Sequence, residues 1–190
     1  TFANINLLGK CNAKCYFCLG EDIPELLRLH NNINTHFNEW RNFDKFIDSC
    51  NRNNINKIYL TGQNTDSLLY KYRVELFTYL KSLGFTVGLR TNGYLAHKNI
   101  NFLNMCENSV GLSIHSLDPE TNYKIMKRRD IPDWDNLIPQ INNPRVAIVV
   151  NRYNIGEFFD ILKYISKFKN IKYVQARRIS TDTRYELFKP

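Results

Sequence analysis

The sequence lacks the marks of a membrane-spanning, secreted or disulfide-bonded protein. No apolar run approaches the ~20 residues that a transmembrane helix needs. No basic segment followed by an apolar one opens the chain, as a signal peptide would. The five cysteines are an odd number and three of them are bunched, which does not fit a disulfide framework. These absences predict no membrane partner and a cytoplasmic location, where thiols stay reduced.

The sequence also has no linker, internal repeat or second group of cysteines. Apart from the bunched three, Cys50 and Cys106 stand alone in helix-like stretches and are expected to be buried thiols. At 190 residues, 43% of them hydrophobic, the chain suits one domain over residues 1–190 with a substantial core. The polar tail, residues 177–190, shows no clear helix after the sixth predicted strand. We therefore expect the native protein to extend beyond residue 190.

Basic residues outnumber acidic ones in the chain, 26 to 18. The formal net charge is +8, which attracts anionic partners at long range. Nucleic acid, a nucleotide and a phosphorylated metabolite all qualify. The lysines are scattered along the sequence, however, and scattered lysines usually form an ordinary solvated surface. The charge alone therefore selects no partner.

A tight group of thiols is the most informative stretch of the sequence. Cys11, Cys15 and Cys18 are spaced C-x3-C-x2-C directly after an apolar run, residues 5–8, that is typical of a strand. Soft thiolates select zinc, copper(I) or iron–sulfur clusters. Three cysteines are one ligand too few for a closed structural zinc site. A four-iron cluster held by three cysteines would instead keep one iron open for a substrate or cofactor.

Two other interpretations of the triplet remain open. His30 or His36 lies close enough in sequence to complete a Cys3His zinc site. Alternatively, the three thiols are small buried hydrophobes. The aromatic pair Tyr16 and Phe17 favours a redox centre, because the two rings would shield it from solvent.

Strand-like and helix-like segments alternate along the chain. The predicted strands span residues 3–8, 55–60, 85–89, 110–114, 146–150 and 171–176, the fifth of them being typical of a strand buried on both faces. The predicted helices span residues 42–51, 68–83, 99–108, 119–126, 133–141 and 155–168, with Asn42 as an N-cap and Gly84 ending the second. Such alternation predicts an α/β fold with a parallel sheet and right-handed crossovers. A partial (β/α)6 TIM-like barrel and a flavodoxin-like or doubly wound sheet fit the pattern equally well.

Polar residues follow the predicted strands. In parallel α/β folds, the working face lies at the carboxyl ends of the strands. The residues found there are Thr61, Gly62, Gln63, Asn64, Thr65 and Asp66 after the second strand, Arg90, Thr91, Asn92 and Gly93 after the third, Ser113 and His115 after the fourth, Asn151 and Arg152 after the fifth, and Gln175, Arg177 and Arg178 at the sixth.

The cysteine triplet resembles the cluster motif of the radical S-adenosylmethionine (radical SAM) superfamily. The resemblance implies that Cys11, Cys15 and Cys18 hold a [4Fe-4S] cluster, whose fourth iron is chelated by the amine and carboxylate of SAM. It also favours the partial barrel, because cores of this superfamily carry the cluster loop after the first strand. The initiating step of such enzymes needs no side-chain base, which agrees with the lack of a Ser/His/Asp or paired-carboxylate pattern.

Later motifs extend this resemblance over residues 5 to 180. Residues 61–65 are similar to the family's Gly-Gly-Glu-Pro-like motif, although Gln63 replaces the second glycine, Asn64 the acid and Thr65 the proline. Residues 91–93 resemble its Thr-Asn-Gly motif, and one of Lys127, Arg128 and Arg129 is expected to meet the SAM carboxylate. The SAM-binding residues implied are Gly62, Gln63, Asn64, Asn92, Ser113, Arg129 and Asn151, as in molybdenum-cofactor-synthase-like and peptide-modifying members.

The resemblance implies a function for the whole chain. We expect a radical SAM enzyme that cleaves SAM reductively and abstracts hydrogen from a substrate, with flavodoxin or ferredoxin as electron donor. The arginines near the last strand favour an anionic small molecule or nucleotide over RNA or a peptide. The expected substrate-binding residues are Arg177, Gln175 and His115. Strand alternation would point Arg177 inward with Gln175, and Arg178 outward, while His115 is as often a packing residue.

Two rival functions remain. A zinc- or cluster-binding module without catalysis would bind nucleic acid through the positive surface, with nucleic acid a less favoured partner than a small molecule. An inactive relic would no longer bind SAM, because its Gly-Gly-Glu region is altered. Iron and sulfide content separates the enzyme from a zinc module, and SAM binding separates it from the relic.

Overall fold

A computed structural model describes residues 1–22 and 31–179 of the chain. Its six strands are β1 (Ala3–Leu7), β2 (Lys57–Gly62), β3 (Thr86–Thr91), β4 (Val110–Ser113), β5 (Pro144–Val150) and β6 (Val174–Arg178). They form one parallel sheet in the order β1-β2-β3-β4-β5-β6. The predicted α/β fold with an open, partial (β/α)6 TIM-like barrel is therefore confirmed, and the doubly wound alternative is wrong because the strand order never reverses.

Helices connect the strands. The α-helices are α1 (Phe43–Arg52), α2 (Arg73–Ser82), α3 (Ile100–Leu103), α4 (Pro119–Met126), α5 (Trp134–Gln140) and α6 (Phe158–Ile165). Short 3-10 helices span Leu19–Asp22, Phe37–Glu39, Ser67–Leu69, Ala96–Lys98 and Ile155–Glu157. Among the described residues, none of the helices has the length and apolar character to cross a membrane.

The two faces of the sheet differ in chemistry. Alternate strand residues such as Leu7, Leu60, Leu89 and Ile148 are fully or almost fully buried and join the side chains of the helices in one hydrophobic core. Right-handed crossovers between successive neighbours place connecting helices on this side, whereas Ile125 and Met126 of α4 are buried in a separate, smaller cluster. The strand residues that alternate with the buried ones point to the opposite, concave face. This concave face is polar.

The predicted helix over residues 68–83 is wrong in its first part. A 3-10 turn, Ser67–Leu69, precedes α2, and the chain bends between them. Buried Tyr70 donates its hydroxyl hydrogen to the Thr35 carbonyl at 3.2 Å, and the Lys71 amide donates to the Ile33 carbonyl at 2.8 Å. The Lys71 amide therefore bonds to another segment and not to a carbonyl of a preceding helical turn, and the Tyr70 side chain fixes the chain at the same place.

Two helix ends and one strand can be compared with their predicted form. Gly84 follows α2 at φ +86°, as predicted for a helix-ending glycine. Asn42 does precede α1, but its backbone is left-handed and its side chain makes no capping hydrogen bond. The prediction of a fifth strand buried on both faces is wrong. Ala147 and Val149 are only half-buried, because they face the concave side.

Candidate functional site

The cysteine loop follows β1 and rests on the carboxyl end of α4. The amides of Lys14 and Tyr16 donate to the carbonyls of Met126 and Ile125 at 2.9 and 3.0 Å. These carbonyls belong to the last turn of the helix and have no partner within it. Ala13, Ile125 and Met126 are buried together beneath the loop. The helix end thus fixes the backbone that carries the three thiols.

Cys11, Cys15 and Cys18 lie near one another within this loop. A turn closes with the Cys18 amide donating to the Cys15 carbonyl at 2.9 Å. Burial raises the pKa of Cys11 to about 11 and also raises that of Cys15, and the neighbouring thiols add to both pKa shifts. Three soft donors in one loop, with ionisation disfavoured until positive metal charge is supplied, fit a [4Fe-4S] cluster.

A mononuclear site fits less well. Within residues 1–22 and 31–179, no three Cys, His, Asp or Glu side chains are arranged to hold a single metal ion. His36 stacks on Phe37 with a centroid distance of 4.3 Å, and its Nδ1 accepts from the Asn38 amide at 3.3 Å. The other predicted zinc ligand, His30, lies outside the described residues. Cysteines that bind different irons of a cluster lie further apart than those sharing one ion.

Aromatic rings surround the cysteine loop. Tyr16 packs edge-on against Phe17 and Tyr153, with centroid distances of 5.5 and 5.4 Å. Phe17 in turn contacts the ring of His115 at 5.1 Å. The rings therefore shield the loop from solvent on this side, which suits a redox centre.

The loop after β2 packs directly against the cysteine loop. The Gln63 amide donates to the Leu7 carbonyl at 2.8 Å, and Asn64 Oδ1 accepts from the Gly9 amide at 2.9 Å. A Cβ on Gly62 would lie 1.6 Å from the Thr65 carbonyl oxygen, so only glycine fits there. The bond from Gly9 uses one lone pair of the Asn64 carboxamide oxygen. That oxygen keeps a second lone pair, so the Asn64 side chain and the backbone carbonyls of the loop are both acceptors for an ammonium group.

Asp66 joins the ends of β2 and β3, although the sequence pattern assigned it no specific role. Its carboxylate accepts from Thr91 Oγ1 at 2.9 and 3.0 Å, from the Leu68 amide at 2.9 Å and from the Asn92 amide at 2.7 Å. Burial raises the pKa of Asp66, and these hydrogen bonds oppose that shift. An acid that follows a buried strand and precedes a helical turn was the signal that could have identified it.

Asn92 links β3 to the cysteine loop. Its Nδ2 donates to Asn12 Oδ1 at 2.7 Å and lies 3.8 Å from Cys11 Sγ. With Ser113 and His115, it lines a narrow cavity of about 10 Å³. Three of the expected SAM-site or substrate-site residues thus line one cavity, and one of them, Asn92, contacts the cysteine loop.

The basic residues after α4, Lys127, Arg128 and Arg129, include one that contacts the cysteine loop, and it is not the expected Arg129. Arg129 pairs with Glu120 at 2.8 Å on the surface and stacks on Tyr123, away from the cysteine loop. Arg128 also forms an ion pair, with Asp130, but it donates from Nη1 to the Asn12 carbonyl at 2.9 Å and stacks on Tyr94. Arg128 is therefore the member of the run that touches the loop.

Two further residues are engaged locally. Asn151 caps its own turn, since its Nδ2 donates to the Val149 carbonyl at 2.8 Å and its Oδ1 accepts from the Tyr153 amide at 2.9 Å. His115 is buried, and its Nδ1 accepts from the Val149 amide at 3.1 Å. Burial lowers the pKa of His115 to about 4, so the ring is neutral at pH 7. This geometry is that of a hydrogen-bonded packing residue, which was the alternative to a substrate-binding role for His115.

The last strand carries Gln175 and Arg177 on the concave face. Their partners in β5 are Ala147 and Val149, and Arg178 points to the opposite side. Arg177 lies near enough to Arg90 for its charge to lower the Arg90 pKa. The structure thus gathers most of the expected residues at one end of the sheet, with Arg129 and the side chain of Asn151 engaged elsewhere.

Comparison with known proteins agrees with this geometry. The model of the radical SAM superfamily matches residues 5–141, which is more than half of the chain. The chain belongs to the radical SAM superfamily.

Individual radical SAM proteins resemble the chain over part of their length. The GTP 3',8-cyclase of Microcystis aeruginosa is 30% identical over 149 residues, covering 70% of this chain and 40% of the cyclase. SuiB of Streptococcus suis bound to S-adenosylmethionine has a TM-score of 0.71 at 18% identity, covering 95% of this chain and 39% of SuiB. TYW1 with a lysine-pyruvate adduct has a TM-score of 0.55 at 16% identity, covering 95% of this chain and 66% of TYW1. The chain spans about 40% of the length of the cyclase and of SuiB, and the two structures share its fold.

Proposed function

We propose that this chain is the core of a radical SAM enzyme in which Cys11, Cys15 and Cys18 hold a [4Fe-4S] cluster. The observation that carries the proposal is the loop itself, which brings three thiols together after β1 on the carboxyl end of α4. When bound, the cluster would pass one electron to SAM and so generate a 5'-deoxyadenosyl radical that abstracts hydrogen from the substrate. Membership in the superfamily favours this activity over the zinc module, and SAM binding would separate it from the inactive relic.

The residues around the loop have positioning roles in this proposal. Asn92 and Arg128 hold the segment that contains Asn12, which keeps the Cys11 thiol in place. The aromatic rings of Tyr16 and Phe17 exclude water from one side of the centre. These contacts orient the metal-binding groups before any cofactor arrives.

SAM would bind between the loop after β2 and the ends of β3 and β4. The backbone carbonyls near Gly62 and Gln63 are acceptors for an ammonium group, and Asn92 and Ser113 supply polar atoms beside it. Arg128 replaces Arg129 in our assignment of the cation near the SAM carboxylate, because only Arg128 reaches the cysteine loop.

An anionic small molecule or nucleotide is the proposed substrate. Two observations support it, namely the concave position of Arg177 and the similarity to a cyclase that is named for the nucleotide GTP. A peptide is the second candidate, since SuiB has been crystallised with the precursor peptide SuiA. Flavodoxin or ferredoxin is the proposed electron donor. We also propose that this single core domain is cytoplasmic, in keeping with five cysteines that form no disulfide with one another.

Cluster content tests the metal assignment. Cys11→Ala, Cys15→Ala and Cys18→Ala should each abolish incorporation of iron and sulfide after anaerobic reconstitution, because each removes a ligand. Cys106→Ala is the matched control, since that thiol is 1% exposed in the hydrophobic core. About four irons per chain are expected in the wild type and in the control. Full iron content in any triplet variant would refute the assignment.

A further inference from the structure

Three arginines converge on the concave face of the sheet. Arg90 in β3 pairs in register with Gly111 in β4, and Gly111 pairs with Arg145 in β5. A Cβ on Gly111 would lie 3.1 to 3.2 Å from the guanidinium of Arg145. The glycine therefore lets the Arg145 side chain lie across β4 towards Arg90. Arg177 of β6 faces the same space.

Two of these arginines have a buried Nε without a hydrogen-bond partner, although only Arg145 is buried as a whole residue and Arg90 is half-buried. Arg145 is only 3% exposed, and its Nε has no hydrogen-bond partner within the described residues. The Nε of Arg90 is likewise buried without a partner in that part of the chain. The Arg145 guanidinium lies 5.5 and 5.6 Å from the ring centroids of Tyr59 and Tyr173. Ring stacking stabilises a cation, but it does not satisfy an N–H donor that points elsewhere.

The arginines also repel one another. Burial lowers the pKa of Arg90, and the charges of Arg145 and Arg177 lower it further. The other groups that most affect the Arg90 pKa are Tyr59 and Tyr173, with no carboxylate among them. Buried charges in proteins are normally paired, since an unpaired one loses its hydration. Three clustered cations, two of which have a buried Nε without a hydrogen-bond partner, therefore favour a bound anion.

We propose that Arg90, Arg145 and Arg177 form a binding site for a phosphate group of the substrate on the concave face of the sheet. Planar guanidinium groups bind phosphate oxygens in pairs, and three positive charges match a multiply charged anion better than a single carboxylate. Arg90 lies two residues before Asn92, whose side-chain amide contacts the cysteine loop. A phosphate held here would place the rest of the substrate beside the thiols. The substrate part of this inference rests on the function proposed above.

Pyrophosphate binding tests the site directly. Isothermal titration calorimetry of the full-length protein should show saturable binding of inorganic pyrophosphate, and much weaker binding of acetate. Arg90→Gln and Arg145→Gln should each raise the pyrophosphate Kd about tenfold or more, because each removes charge-assisted hydrogen bonds. Arg177→Gln should raise it several-fold, since this side chain is exposed.

Arg178→Gln is the matched control. It removes the same charge from the same strand but from the opposite face, and should leave the Kd within about twofold. Equal losses in all four variants, equal affinity for acetate, or no saturable binding by the wild type would overturn the site. Thermal unfolding checks that each variant is folded. If Arg145→Gln does not fold, the pyrophosphate Kd values of Arg90→Gln and Arg177→Gln test the site.

Anion binding at this site can be separated from the radical chemistry. Pyrophosphate binding requires neither SAM nor a reductant, so it is measured in both the cluster-free and the reconstituted protein. Absence of SAM cleavage by a protein that binds pyrophosphate would refute the proposed function and leave the anion site standing. Absence of pyrophosphate binding in a protein that cleaves SAM would refute the site alone.

Discussion

Surroundings, rather than chemistry, distinguish the five cysteines. Cys11, Cys15 and Cys18 share one loop and affect the ionisation of one another, whereas Cys50 and Cys106 are 2% and 1% exposed among apolar side chains. Sequence spacing was enough to separate the two groups, because the triplet is local and each of the other two stands alone. The burial expected for Cys50 and Cys106 is confirmed.

His115 makes the stability of the fold depend on pH. Burial holds its pKa at about 4, below the value of 6.5 expected in an unfolded chain. Between these two pH values the unfolded chain binds a proton that the folded chain does not. The free energy of unfolding therefore falls as the pH is lowered through this window, by up to about 3 kcal/mol.

A pair of histidine variants tests that dependence. His115→Gln should remove most of the fall in unfolding free energy between about pH 7 and pH 4.5, as measured by urea denaturation. His97→Gln should retain it, because His97 is exposed. An unchanged pH dependence in His115→Gln would show that another group is responsible.

Among the larger elements, local patterns predicted more than long-range contacts did. The bounds of α4 agree with the predicted range 119–126, because a Pro near its start and an Asp118 cap are encoded within the segment itself. The predicted helix over 68–83 failed because Tyr70 and Lys71 bond to residues 35 and 33. Arg128 was not distinguished from Arg129 because its partner, Asn12, is 116 positions away.

The contact between the end of α4 and the cysteine loop gives a prediction. Arg128→Gln should accelerate chelator-driven loss of the cluster several-fold, because it removes the hydrogen bond to the Asn12 carbonyl. The loss of the cluster is measured as a decrease in its visible absorbance. Arg129→Gln should stay within about twofold of the wild type, since Arg129 contacts Glu120 and Tyr123 on the surface. Similar rates in both variants would contradict the anchoring role.

The loop after β2 gives a prediction about the stability of the fold. Gly62→Ala should lower the free energy of unfolding by more than about 4 kcal/mol or prevent folding, because its Cβ would overlap the Thr65 carbonyl. Gly84→Ala should cost only about 1–2 kcal/mol, since its surroundings are open and only its positive φ is strained. Urea denaturation compares the two, and equal costs would mean that the loop relaxes freely.

For the whole molecule, strand order determines where chemistry can take place. The alternation of strands and helices predicted a parallel sheet, and consecutive strand order then leaves the concave face open for chemistry. The polar concave face could not be located from the sequence, because Arg90 and Arg145 meet only through the register of three strands. A lone arginine in each of two apolar strands was the available signal.

Formation of 5'-deoxyadenosine is the measurement that tests the radical SAM assignment most directly. The wild-type protein, anaerobically reconstituted and supplied with SAM and a reductant, should release 5'-deoxyadenosine and methionine. Cys15→Ala should release neither above background, and Cys50→Ala should match the wild type because that thiol is buried in the core. The assignment would be contradicted if the wild type held a full complement of iron yet released no 5'-deoxyadenosine, or if Cys15→Ala released as much as the wild type.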